Sequence, residues 1–230
     1  MFIDPSPHRP GRLRHRLREG TAVLLACIAL AACTDRMQPT DDRWGRSGEL
    51  IAMSGGEGGA RYACATCHGT RGEGNGFDAP RLAGLPAGYL QKQMEDYALG
   101  LRPHAVMRDV ARFLDSHERV LVANHYAALP PQALPPASSE TPDPSAAALY
   151  ADACQSCHGV AGIGTAEGPP LNAQPAFYLA QQLQDWQKSK RRNDGRHVMV
   201  EAAQRLDPEQ VRQLSLHLAR IPLHPVVAAR

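Results

Sequence analysis

Two short stretches of this 230-residue chain could do chemistry: Cys64-Ala65-Thr66-Cys67-His68-Gly69 and Cys154-Gln155-Ser156-Cys157-His158-Gly159. Both read C-x-x-C-H-G. At the abundance of Cys and His in this chain, one C-x-x-C-H arises by chance with a probability of roughly 0.007, so two copies point to a purpose, and the pattern is that of c-type haem attachment. The spacing has a physical reason. Two thiols must reach the two vinyl groups of one porphyrin, and a helical turn with two intervening residues sets them the right distance apart. The histidine that follows then points at the iron from one side. Zinc would need two further ligands beside each motif, and none is clustered there. A thioredoxin-like dithiol would need a βαβ pattern, which is missing. Cys64, Cys67, Cys154 and Cys157 are therefore read as the covalent attachment points of two haem c groups, with His68 and His158 as iron ligands.

The other two cysteines, Cys27 and Cys33, lie near the N-terminus. Arg9, Arg12, Arg14, Arg16 and Arg18 precede the apolar run Thr21–Ala32, a charged region followed by a short apolar one, as in an export signal and too short for a comfortable membrane span. The run closes on Leu30-Ala31-Ala32-Cys33, which resembles the lipobox of bacterial lipoproteins. That resemblance implies a lipidated Cys33 as the first mature residue, a signal peptide over 1–32 and a membrane tether over 33–46. A plain cleaved signal is the rival. Either way the chain is exported, and the periplasm is where bacteria attach haem c. Residues 1–32 hold five Arg against Asp4 and Glu19, so the remainder of a chain of net charge +2 sits near −1. Nothing in that balance favours nucleic acid. With 5% aromatic residues, 19 Pro and 20 Gly, the cores are modest, and an apolar prosthetic group would help to fill them.

Setting Cys64 on Cys154 exposes an internal repeat. Pro80-Arg81-Leu82 falls on Pro169-Pro170-Leu171, Leu85–Tyr97 on Gln174–Trp186, and His104–Asp115 on Arg196–Asp207. The Pro- and Ser-rich stretch 130–144 separates a first domain over 47–129 from a second over 145–225. Each half reads as short helices. Gly48–Met53 and Pro144–Ala153 open the halves; a middle helix after Pro86 or Pro175 has apolar residues at helical spacing (Leu90, Met94, Tyr97; Leu179, Leu183, Trp186). A last helix begins at Asp115-x-x-Glu118 and at Asp207-Pro208-x-Gln210, both capping-box patterns. No strand alternation is present, so the chain is all-α with two tandem domains.

These residues carry a family resemblance. Over about 46–223 the paired C-x-x-C-H-G, P-x-L and P-x-x-Y-L segments, and the Met followed by Leu-Asp, resemble the diheme cytochrome c4 family. The resemblance implies two class I cytochrome c domains related by a pseudo-twofold axis, each wrapping one haem, in a protein that carries electrons. It also implies that the carbonyls of Pro80 and Pro169 accept the second N–H of the ligating histidines. Tyr89 and Tyr178 then either meet the haems, at their edges or propionates, or are ordinary core aromatics.

The sixth iron position separates electron transfer from chemistry, and a thioether suits the former. Met107 and Met199 are the methionines found at equivalent places in both halves, before the capped last helix. They are the expected ligands; core packing and ligation by His104 or His197 are the alternatives. Met94 falls on Leu183 in the repeat and is expected to pack; His125 and His217, late in the last helices, are expected to take a helix-end or packing role. The basic stretch Lys188–Arg196 has no counterpart in the first half. It is expected to be a solvated loop, with partner docking or compensation of haem propionates as alternatives.

The expected function is that of a lipid-anchored periplasmic electron carrier with no small-molecule substrate of its own. The family resemblance implies a route from a quinol-oxidising complex to a terminal oxidase. A second reading makes the chain the cytochrome subunit of a dehydrogenase, as in a flavocytochrome c. A third, a diheme peroxidase, requires an open iron, whereas both halves supply a Met.

Overall fold

A proline followed by an apolar stripe organises each half. In the computed structural model, which describes residues 47–223, the first half consists of α1 (Gly48–Ser54), α2 (Ala65–His68), α3 (Ala87–Leu99), α4 (Ala105–Phe113) and α5 (Ser116–Ala128). The second repeats the order with α6 (Ser145–Ala153), α7 (Gln155–His158), α8 (Ala176–Gln187), α9 (Val198–Gln204) and α10 (Pro208–Arg220). Among the described residues there is no strand, and no helix is long and apolar enough to cross a membrane. The expected signal over 1–32, Cys33 and the tether over 33–46 lie outside the described residues.

Helix α3 presents Leu90, Met94 and Tyr97 to a core shared with Ile51 and Ala52 of α1 and with Val122, Ala123 and Tyr126 of α5. Met94 packs there, as its repeat partner Leu183 suggests. Helices α1 and α5 cross so closely at Gly48 that a Cβ would lie 2.1 Å from the Leu121 carbonyl oxygen. The second half closes on a smaller set, Tyr150, Leu179, Leu214 and Leu218. His217 tilts against Tyr150 and His125 meets Tyr126 edge-on, so both pack as expected.

Both capping boxes form. Asp115 accepts from the Glu118 N–H at 2.8 Å while Glu118 accepts from the Asp115 N–H at 2.9 Å. Asp207 and Gln210 repeat the exchange at 2.8 and 3.0 Å, with Pro208 opening α10. Where the sequence predicts one capped helix after each Met, the structure adds another, because Met107 and Met199 themselves sit in the first turns of α4 and α9.

The basic stretch corrects a second expectation. Lys188, Lys190, Arg192 and Arg196 are exposed, but Arg191 is buried and Asn193 half-buried. The segment is stitched to the first half: the Arg192 N–H donates to the Leu101 carbonyl at 2.8 Å, and Lys92 donates to the Asn193 carbonyl at 2.9 Å. A run that reads as uniformly solvated is split between water and the seam joining the halves.

Candidate haem sites

Helices α2 and α7 are single turns that place two cysteines and a histidine on one short element. Gly69 and Gly159 end them at φ of +79° and +78°, where a side chain is strained. That conformation gives a local reason for glycine at both positions. Both histidines are buried. His68 Nδ1 donates to the Pro80 carbonyl and His158 Nδ1 to the Pro169 carbonyl, each at 2.9 Å. A carbonyl can only accept, so the ring proton sits on Nδ1 and the Nε2 lone pair is left for a metal. Burial pushes the pKa of both rings below the ordinary imidazole value, favouring the neutral form that coordinates. At Gly168 a Cβ would lie 3.0 Å from His158 Nδ1, so the residue before Pro169 must be small.

Met107 and Met199 are half-buried, each in the first turn of its helix. Their backbones are held differently. The Met107 N–H donates to His104 Nδ1 at 3.2 Å, whereas the Met199 N–H donates to Asp194 Oδ2 at 2.6 Å. His104 is thus committed to capping α4, and His197, at φ +57°, caps nothing with its side chain. The two histidines, three and two residues before their methionines, thus differ in role as well as in register. Among the described residues no three His, Cys, Asp or Glu side chains converge. Neither motif therefore has the further donors of those types that a zinc site would use.

A cavity of about 730 Å³ brings Cys64, Cys67, His68, Met94 and Met107 of the first half together with Tyr178 of the second. Where it meets the seam, two arginines are buried. Arg102 donates to Gln93 Oε1 at 2.9 Å, to the Tyr178 hydroxyl at 2.8 Å and to Gln182 Oε1 at 2.7 Å. Arg191 donates to the same two amide oxygens, at 2.9 Å to Gln93 and 2.8 Å to Gln182. The four residues form a square in which both guanidiniums share neutral acceptors. Arg102 Nε is buried with no partner. Burial alone would push the Tyr89 phenol up, but Arg102 and Arg191 outweigh it and hold the phenol below its ordinary range. Tyr89 and Tyr178 therefore belong to this electropositive seam.

Buried positive charge with only neutral hydrogen-bond partners is costly unless an anion completes it. A c-type haem fits this donor set. The cysteine pairs would hold the porphyrin covalently, His68 with Met107 and His158 with Met199 would hold the irons, and the Arg102–Arg191 square would meet the haem carboxylates. When bound, the group supplies reversible one-electron chemistry. Arg102, Arg191, Gln93 and Gln182 do not stand out as site residues in the sequence. Their only signal is that each Arg and each Gln recurs at the spacing that separates Pro86 from Pro175.

Fold and site together define a protein of two duplicated helical modules, each built to hold one covalently attached haem. The profile of the cytochrome c family matches residues 57–118 and 145–221. The thiosulfate dehydrogenase electron acceptor of Stutzerimonas stutzeri (strain A1501) is 35% identical over 76% of this chain and 86% of its own. Cytochrome c4 of Thiocapsa roseopersicina is 30% identical over 78% of this chain and 97% of its own. Among solved structures, the thiosulfate dehydrogenase TsdBA of Marichromatium purpuratum aligns with a TM-score of 0.69 at 35% identity. That match covers 76% of this chain but 40% of the longer one. The chain belongs to the cytochrome c family, as a diheme protein of the cytochrome c4 type, with two covalently bound haem c groups.

Proposed function

We propose that this protein is a periplasmic diheme electron carrier that accepts electrons from a thiosulfate dehydrogenase and passes them towards a respiratory chain. The observation behind the carrier reading is that each half holds a buried, Nδ1-anchored histidine and a methionine fixed in the first turn of its helix, with His68 and Met107 lining one cavity. His68 with Met107 and His158 with Met199 would leave no open position on either iron for a substrate, which argues against the peroxidase reading. Thioether ligation also keeps coordination alike in both oxidation states, the requirement for fast electron exchange.

The donor follows from the relatives. Two similar proteins, from Stutzerimonas stutzeri and Thiomonas intermedia, are thiosulfate dehydrogenase electron acceptors. The similar stretch of the TsdBA chain lies within a thiosulfate dehydrogenase. This favours the dehydrogenase-linked reading over a quinol-oxidising complex as donor; a terminal oxidase or another carrier takes the electrons onward. Lipidation at Cys33 would hold the carrier at the membrane where that acceptor works. Domain limits at 47–129 and 145–225 complete the reading.

Stopped-flow mixing tests it. The ferric protein with thiosulfate alone should stay oxidised, and adding a thiosulfate dehydrogenase should reduce both haems. Reduction no faster with the enzyme than without it would remove the proposed donor.

A further inference from the structure

The two proximal histidines are hydrogen-bonded alike, but the peptides that accept from them are not alike. The carbonyl of Pro80 belongs to the same peptide unit as the Arg81 N–H. That N–H donates across the seam to Gln174 Oε1 at 2.9 Å. Gln174 Nε2 in turn donates to the Arg81 carbonyl at 3.0 Å, so one side chain of the second half grips Arg81 by both its backbone groups. Gln174 is 4% exposed and Arg81 1%, so water does not compete for these bonds. The arginine side chain ties the same segment further, donating to the Ala83 carbonyl in its own half and to the Asn172 carbonyl opposite at 3.3 Å.

The result is a continuous chain: His68 Nδ1–H to the Pro80 carbonyl, through the peptide, then Arg81 N–H to Gln174 Oε1. Hydrogen bonds in series polarise one another, the more so in a buried, low-dielectric setting. An amide whose N–H is engaged is a better acceptor at its carbonyl, and a histidine with a better Nδ1 acceptor is a more basic ligand.

In the second half this chain cannot exist. The peptide whose carbonyl accepts from His158 is Pro169–Pro170, and Pro170 has no N–H. The repeat position of Gln174 in the first half is Leu85, which has no amide to offer.

We propose that Gln174 of the second half sets the potential of the first haem. By accepting the Arg81 N–H it strengthens the bond that anchors His68, makes that ligand more electron-rich and favours the ferric state at that iron alone. The inference rests on the reading of His68 as iron ligand.

The test uses the full-length holoprotein and two variants, Gln174→Met and Gln174→Glu. Each haem's potential is followed by spectroelectrochemistry, with NMR of the axial methionine methyls to tell the haems apart. Gln174→Met keeps the length and loses the acceptor. It should shift the first haem's ferric–ferrous balance about threefold towards ferrous, about 28 mV at 59 mV per tenfold for one electron. The second haem should not move, and the His68 Nδ1 proton should exchange faster with solvent. Gln174→Glu keeps an acceptor and should leave the first haem at or below its native potential. An unchanged first haem in Gln174→Met, or a rise in both variants, or equal shifts of both haems, would overturn the proposal, since loosening of the seam would produce the last two. Those results would leave the ligand reading standing. Loss of that reading has its own signature, the absence of methionine–iron spectra in the native protein.

Discussion

Replacing Met107 by Ala should open the first iron and replacing Met199 the second, each without touching the other half. The expected result is a potential drop of about 100 mV or more at the affected haem, given how strongly axial ligand identity sets haem potential. Its methionine–iron near-infrared band should vanish and carbon monoxide should bind to the ferrous form. An unchanged potential would reject the methionine as ligand. The cysteines, histidines and methionines are legible in the sequence because covalent attachment fixes their spacing and duplication marks them twice. Pro80 and Pro169 are legible only through family resemblance. Gln174 is not legible at all, because its importance comes from the backbone of Arg81, far away in sequence, which it meets only once the two halves have packed.

Helices α3, α5, α8 and α10 are foreseen in the sequence, since their starts carry local chemistry: Pro86, Pro175 and two capping boxes. Helices α4 and α9 are not. The first is capped by a histidine, which is not among the usual capping residues. The second starts from a left-handed His197 and takes its cap from Asp194, five residues before Met199. Both caps act on the turn that bears the methionine, so cap removal has a local readout. Asp194→Ala should cost about 0.5–2 kcal/mol. In a denaturant titration the second haem should then lose its methionine band at lower denaturant than in the native protein, while the first keeps its midpoint. Equal effects on the two haems would show that α9 is not held locally by Asp194.

Across the two halves, the sequence conveys the duplication but not the seam. Arg191 and Asn193 belong to a basic run whose composition suggests solvent exposure, and periodicity has no means of reporting that two of its members turn inward. Together Arg102 and Arg191 put two positive charges at the seam between the halves with neutral partners. Positive charge disfavours the ferric form, so Arg102→Gln should lower the potentials of both haems, by up to about 59 mV for a tenfold change in the ferric–ferrous balance. A shift confined to one haem would argue that the square does not serve both. The reading of the molecule as a carrier depends on both irons being closed by methionine. Near-infrared and visible spectra of the native ferric protein, recorded through a redox titration, decide this. The prediction is methionine–iron bands from both haems, two one-electron steps, and no reaction of the ferrous protein with carbon monoxide. A high-spin or carbon monoxide-binding haem in the native protein would contradict it and point to an enzyme with an open iron.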